Sequence, residues 1–209
     1  MSRKVFDRLT SGGGVVIVVV LVVAGGLLTW GHSFANNDVR TQLAQQQIYF
    51  PAQSVWKTAT KNNTGEIQAR MVPYLEKYSG QQLLTGAQAE AYANHFIAYH
   101  LAVMPYGGVY SKVSAAAMTA KPGTTAYTTL HGLEATVFQG TTLRGLLLEA
   151  YGFSTIGQVM LYGAIASFIG AAIMALLVAL GFAHAARTSE EEKLFARAGI
   201  PARPALPVA

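Results

Sequence analysis

The sequence predicts an all-α membrane protein, with two transmembrane helices flanking a mostly helical extracytoplasmic domain. Three observations lead there. No Asp, Glu, Lys or Arg stands between Arg8 and Asp38, nor between Glu149 and Arg187. Each of these stretches carries an apolar run of about the 20 residues that a helix needs to cross a bilayer core. Basic residues gather at both ends: Arg3, Lys4 and Arg8 before the first run, and Arg187, Lys193, Arg197 and Arg203 after the second. Positive charge within about 15–20 residues of a span marks the cytoplasmic side. Only Arg40 and Arg144 stand near the spans on the other side. Glu190, Glu191 and Glu192 weigh little in this rule.

The implied order is a cytoplasmic N-terminus over residues 1–11, a first span over 12–32, an extracytoplasmic domain over 33–154, a second span over 155–184 and a cytoplasmic tail over 185–209. Trp30 and Tyr151 would sit near the outer interface, where amphipathic rings are favoured. A second reading takes the first run as a signal peptide cut after the small-x-small triplet Ser33-Phe34-Ala35. The length of the apolar run favours a retained anchor.

Between the spans, Asn36 to Gln47 is polar and continues the first helix as an amphipathic stalk. Ile48-Tyr49-Phe50 precedes Pro51 and is expected to be extended, because proline pushes its predecessor out of the helical region. Lys61 to Gly65 is a turn cluster. Glu66 to Tyr78 has helical spacing, bent or stopped near Pro73. Thr85 caps a helix predicted from Gly86 to about Met104, with Ala89, Tyr92, Ala93, Phe96, Ile97, Leu101 and Met104 on one stripe. Pro105 to Gly108 ends it. Val109 to Ala120 forms a short helix that Lys121-Pro122-Gly123 breaks. Thr124 to Phe138 is helical, Gly140 marks a break, and Thr141 to Tyr151 leads into the second span.

The second span carries the sharpest pattern. Gly163, Ser167, Ala171, Ala175 and Ala179 recur every fourth residue, and Ala166 and Gly170 widen the ridge. Lipid supplies little hydrophobic drive between helices, so close backbone approach across small residues supplies the association. The ridge is expected to pack on Ala24, Gly25 and Gly26 of the first span or on a helix of another protein. The bland alternative is that Ala and Gly are common in such spans.

Composition narrows the chemistry. The chain has no cysteine, which excludes disulfides, thiolate metal sites and Fe–S clusters. Its net charge of +5 is scattered, without the clustered phosphate footprint of a nucleic-acid binder. The spans hold no acidic or basic residue for a proton relay or ion site. No nucleophile elbow, phosphate loop, dinucleotide fingerprint or HExxH occurs.

Two constellations invite metal. His100 and Met104 are four apart, and imidazole with thioether suits copper, which His131 would complete. His131 and Glu134 are three apart and suit a divalent ion. Against these stand a core methionine, hydrogen-bonded histidines and an exposed helix face. The many tyrosines are either core or contact residues for a partner.

Gln42-Leu-Ala-Gln-Gln-Gln-Ile48, Ala91-Tyr-Ala-Asn-His-Phe-Ile-Ala-Tyr-His100, Gly107-Gly-Val-Tyr-Ser-Lys-Val-Ser114 and Gly140-Thr-Thr-Leu-Arg-Gly-Leu-Leu-Leu148 resemble stretches of a group of small actinobacterial membrane proteins. Those proteins have two spans and an intervening helical domain. The resemblance implies location and architecture, and no site residues.

The functional expectation is a non-catalytic accessory or structural subunit of a larger membrane complex. It would dock on integral membrane subunits, or on itself, through the second span and the outer domain. The alternatives are an extracytoplasmic copper-handling protein and a stand-alone envelope protein that binds lipid.

Overall fold

The computed structural model describes residues 3–62 and 67–187 and is helical almost throughout. Two helices are long and apolar enough to cross a membrane: α1, Arg3–Gln45, and α7, Thr125–Arg187. Between them lie α2 (Gln53–Asn62), α3 (Val72–Leu75), α4 (Gly86–Tyr92), α5 (Ala98–Ala102) and α6 (Tyr110–Thr119). The turn expected at 61–65 and most of the expected tail, with Lys193, Arg197 and Arg203, lie largely outside the described residues. The chain divides into two units, one formed by residues 1–29 with 161–209 and the other by 30–160.

In the first unit the described parts of α1 and α7 pack antiparallel. His184 Nε2 stands 3.8 Å from Asp7 Oδ2 at one end, and Gly163 faces Leu28 at the other. The less exposed positions on α1 include Asp7, Ser11, Gly14, Val18, Leu21, Gly25 and Leu28. On α7 they include Ala164, Ser167, Ala171, Met174, Val178, Gly181 and Ala185. Both sets alternate steps of three and four, the repeat of a left-handed knobs-into-holes seam. Glycine makes the seam close. A side chain at Gly14 would meet Val178, one at Gly25 would meet Phe168, and one at Gly181 would collide with Ser11.

The second unit has a conventional apolar core. Trp56, Met71, Leu75, Leu83, Val113 and Val137 are fully buried. Burial of each such large side chain contributes roughly 1.5–3 kcal/mol. Trp56 also donates its indole N–H to the Pro51 carbonyl at 3.0 Å. The extended segment before Pro51 forms as expected: Phe50 N–H donates to Gln81 O, and Leu83 N–H donates to Ile48 O, each at 2.9 Å. The polar stretch after Asn36 does continue α1, to Gln45. Pro73 stands in the first turn of α3, where its missing N–H is harmless.

The helix after Thr85 begins as predicted, with a reciprocal capping box between Thr85 and Gln88. Its course differs. Ala93–Ile97 form a π-helical turn between α4 and α5. The Ala98 amide there donates to the Ala93 carbonyl, five residues back. The helix ends at Ala102 and not at Met104, which is extended at φ −70°, ψ 158°. Pro105 accounts for this, because it excludes the helical conformation from the residue before it. Left-handed backbone follows at Tyr106, Gly107 and Gly108.

Gly140 does not break α7, which runs through it for 63 residues. A side chain at Gly140 would lie 2.9 Å from Leu101 Cδ2. The glycine therefore serves close approach of α5 and α7.

Candidate functional site

The structure separates the two halves of the predicted small-residue ridge. Ala171 is buried, Gly163, Ser167 and Gly170 are half-buried, and Ala166, Ala175 and Ala179 are exposed. Gly163 touches Leu28 and Gly170 touches Leu21. Steps of four residues advance 400° around a helix and drift about 40° each time. A seam that alternates three and four stays on one side. The ridge therefore starts in the contact with α1 and winds out of it past Ala171. Of the three residues expected opposite it, Gly25 is buried, Ala24 is half-buried and Gly26 is exposed.

The two histidines of the proposed copper set each have a local partner. His100 Nδ1 is 2.7 Å from the Phe96 carbonyl, which fixes Nδ1 as the donor nitrogen. Its Nε2 is buried without a protein hydrogen-bond partner. His131 Nδ1 lies 3.1 Å from Glu134 Oε2. Met104 has left the helix that was to align it with His100, and packs against the apolar core. Among the described residues no three His, Asp or Glu side chains converge on one point.

His131 and Glu134 belong instead to the contact between α6 and α7. The Ser114 hydroxyl donates to Glu134 and is the main reason that its carboxyl titrates below the ordinary glutamate range. His131 and Tyr110 add to this, and burial opposes it.

A polar and aromatic cluster gathers instead around the π turn. The Tyr74 and His95 rings stack in parallel with centroids 3.5 Å apart. The Arg70 guanidinium covers the Tyr99 ring at 3.8 Å, a cation–π contact. Asn94 Nδ2 donates to Glu90 Oε1 at 2.9 Å, and Arg144 Nη2 donates to Asn94 Oδ1 at 2.9 Å. A cavity of about 430 Å³ lies along Arg70, Tyr74, Asn94, His95 and Tyr99. A second, of about 380 Å³, lies along Leu101, Gly108, Tyr110, Thr141 and Arg144. π turns inside α-helices often occur at functional sites.

Sequence reading did not find this cluster. Asn94 and Arg144 are 50 residues apart, and no spacing rule joins them. One signal was available: Arg144 is the only charged residue between Glu134 and Glu149.

Comparison with protein families, curated proteins and solved structures gives no match to this chain.

Proposed function

We propose that this is a two-span membrane protein acting as a non-catalytic accessory subunit of a larger membrane assembly. Both termini are cytoplasmic in this reading, and residues 33–154 form an extracytoplasmic domain. One observation carries it. Once α1 and α7 have closed their seam, the outward faces stay aliphatic: Val16, Val19, Val20, Val23 and Leu27 on α1, and Ile165, Ile169, Ile173, Leu176 and Leu180 on α7, are all about half exposed or more. Such a surface is stable against lipid or another apolar helix and unfavourable in water. The outward Ala166, Ala175 and Ala179 offer a further helix the close approach that small residues allow. The central domain supplies exposed aromatic contact residues, among them Tyr74, Tyr106 and Tyr110.

Purification of tagged chain from native membranes in mild detergent tests the reading. The expected product is a complex heavier than the chain, with a stoichiometric integral membrane partner identified by mass spectrometry. A monodisperse free monomer would overturn it.

A stand-alone lipid-binding role is the second reading. A groove of about 320 Å³ favours it, lined by Val39, Leu43, Leu143, Leu147 and Phe153 with Asp38 and Glu149 at its polar positions. Lipid analysis of the purified chain decides this one: enrichment of one lipid class supports it, and bulk membrane composition removes it.

A further inference from the structure

We propose that the groove between the end of α1 and α7 takes a lipid whose head group carries an ammonium. The inference rests on the lipid-binding reading of that groove and names the class of lipid. All the lining residues belong to the second unit. Val39, Leu43 and Leu147 are buried and form an apolar floor, with Leu143 beside them. Lining positions extend from Asp38 to Gln46 on one wall and from Leu143 to Phe153 on the other. At 1.5 Å per residue this is about 12–15 Å of helix. A hydrocarbon chain laid along such a floor removes apolar surface of both partners from water.

The charges select the head group. The ionisable residues that line the groove are Asp38 on one wall and Glu149 on the other, and no Lys, Arg or His accompanies them. Asp38 Oδ2 accepts from Gln42 Nε2 at 2.8 Å, an uncharged donor that leaves the negative charge unbalanced. Neither carboxylate has an ion-pair partner among the described residues. Two such charges beside an apolar floor attract a cation and repel an anion. An ammonium between them would make charge-assisted hydrogen bonds to both walls. A head group that carries only a phosphate would meet repulsion there and no cation.

Neighbouring residues favour a lipid over a basic segment of a partner protein. Phe153 lines the groove and is exposed, as is Ile156 one turn further along α7. On the other wall Phe34 stands one turn before Asp38, exposed and stacked on Trp30. Exposed apolar surface therefore continues from the groove along both helices toward their apolar runs. A chain drawn from a bilayer needs that continuity, and a water-borne basic peptide does not.

The test offers the full chain, in a neutral detergent, mixed micelles of equimolar phosphatidylethanolamine and phosphatidylglycerol with matched acyl chains. Bound lipid is counted by native mass spectrometry. The expected result is enrichment of phosphatidylethanolamine over the supplied ratio by roughly threefold or more, as opposed head-group charge at two carboxylates implies. Asp38→Asn with Glu149→Gln should return the ratio to the supplied one without lowering the total bound. Glu149→Gln alone, at an exposed position, should lower the enrichment in part, which decides the matter if the double variant does not fold. Enrichment of phosphatidylglycerol, or a preference that both variants keep, overturns the inference and leaves the lipid-binding reading standing. Bound lipid at the supplied ratio, or none, overturns both.

Discussion

Single side chains set the local conformations, and two of them lead to measurements. Thr85 closes its helix by accepting from the Gln88 amide, while Gln88 Oε1 accepts from the Thr85 amide at 3.0 Å. Thr85→Ala is expected to cost about 1 kcal/mol, read from chemical denaturation of the purified protein. Glu134 is the second. Its folded carboxyl holds a proton less tightly than its unfolded one, because the Ser114, His131 and Tyr110 side chains favour the carboxylate. The unfolded chain therefore takes up the proton first as the pH falls. The associated stability is complete above the ordinary glutamate range and fades as acidification carries the folded carboxyl through its own lower value. Stability–pH curves of the wild type and Glu134→Gln should differ in the neutral range and converge in acid. Parallel curves would refute this. The Thr85 cap was legible because its signal lies within four residues. The Ser114–Glu134 contact was not, because it joins two helices, and a reading limited to i, i+3 spacing assigned Glu134 to His131 alone.

At the scale of elements, the seam between α1 and α7 makes opposite demands on neighbouring small residues. Gly25 lies against Phe168, and Gly14 lies against Val178. Gly25→Leu is expected to lower the melting temperature of the detergent-solubilised chain by several degrees, since overpacking costs about 1–3 kcal/mol. Ala175→Leu lies outside the seam and should leave that melting temperature unchanged. In the subunit reading it should also reduce recovery of the partner, which separates docking from folding. The sequence showed that small residues matter on the second span. It did not show which of them face α1, because the ridge at steps of four and the seam at steps of three and four share Ser167 and Ala171 before they part. Gly140 was misread for a related reason. A glycine in a helix reads as a break until the neighbouring Leu101 is seen to need the space. Met104 is the reverse case, because the effect of Pro105 on its predecessor was open to reading from the dipeptide alone.

At the scale of the whole chain, the two apolar helices were legible from charge depletion alone, since 20 apolar residues leave few alternatives. The polar cluster of Arg70, Asn94, His95 and Arg144 was not, because tertiary packing of three separate segments creates it. The proposed topology is open to direct test, and the lack of cysteine makes the test clean. Thr10→Cys and Lys121→Cys introduce single thiols at exposed positions. A membrane-impermeant maleimide applied to intact cells should label the second at once, and the first only after the membrane is opened. The opposite pattern would reverse the orientation.

The two tryptophans occupy contrasting surroundings. Trp30 is 68% exposed and stacks on Phe34, whereas Trp56 is fully buried and bonded to the Pro51 carbonyl. The chain thus carries an intrinsic optical gauge. With Trp30→Phe, every photon emitted by indole comes from the heart of the central domain, and a red-shifted spectrum announces the moment that water reaches it.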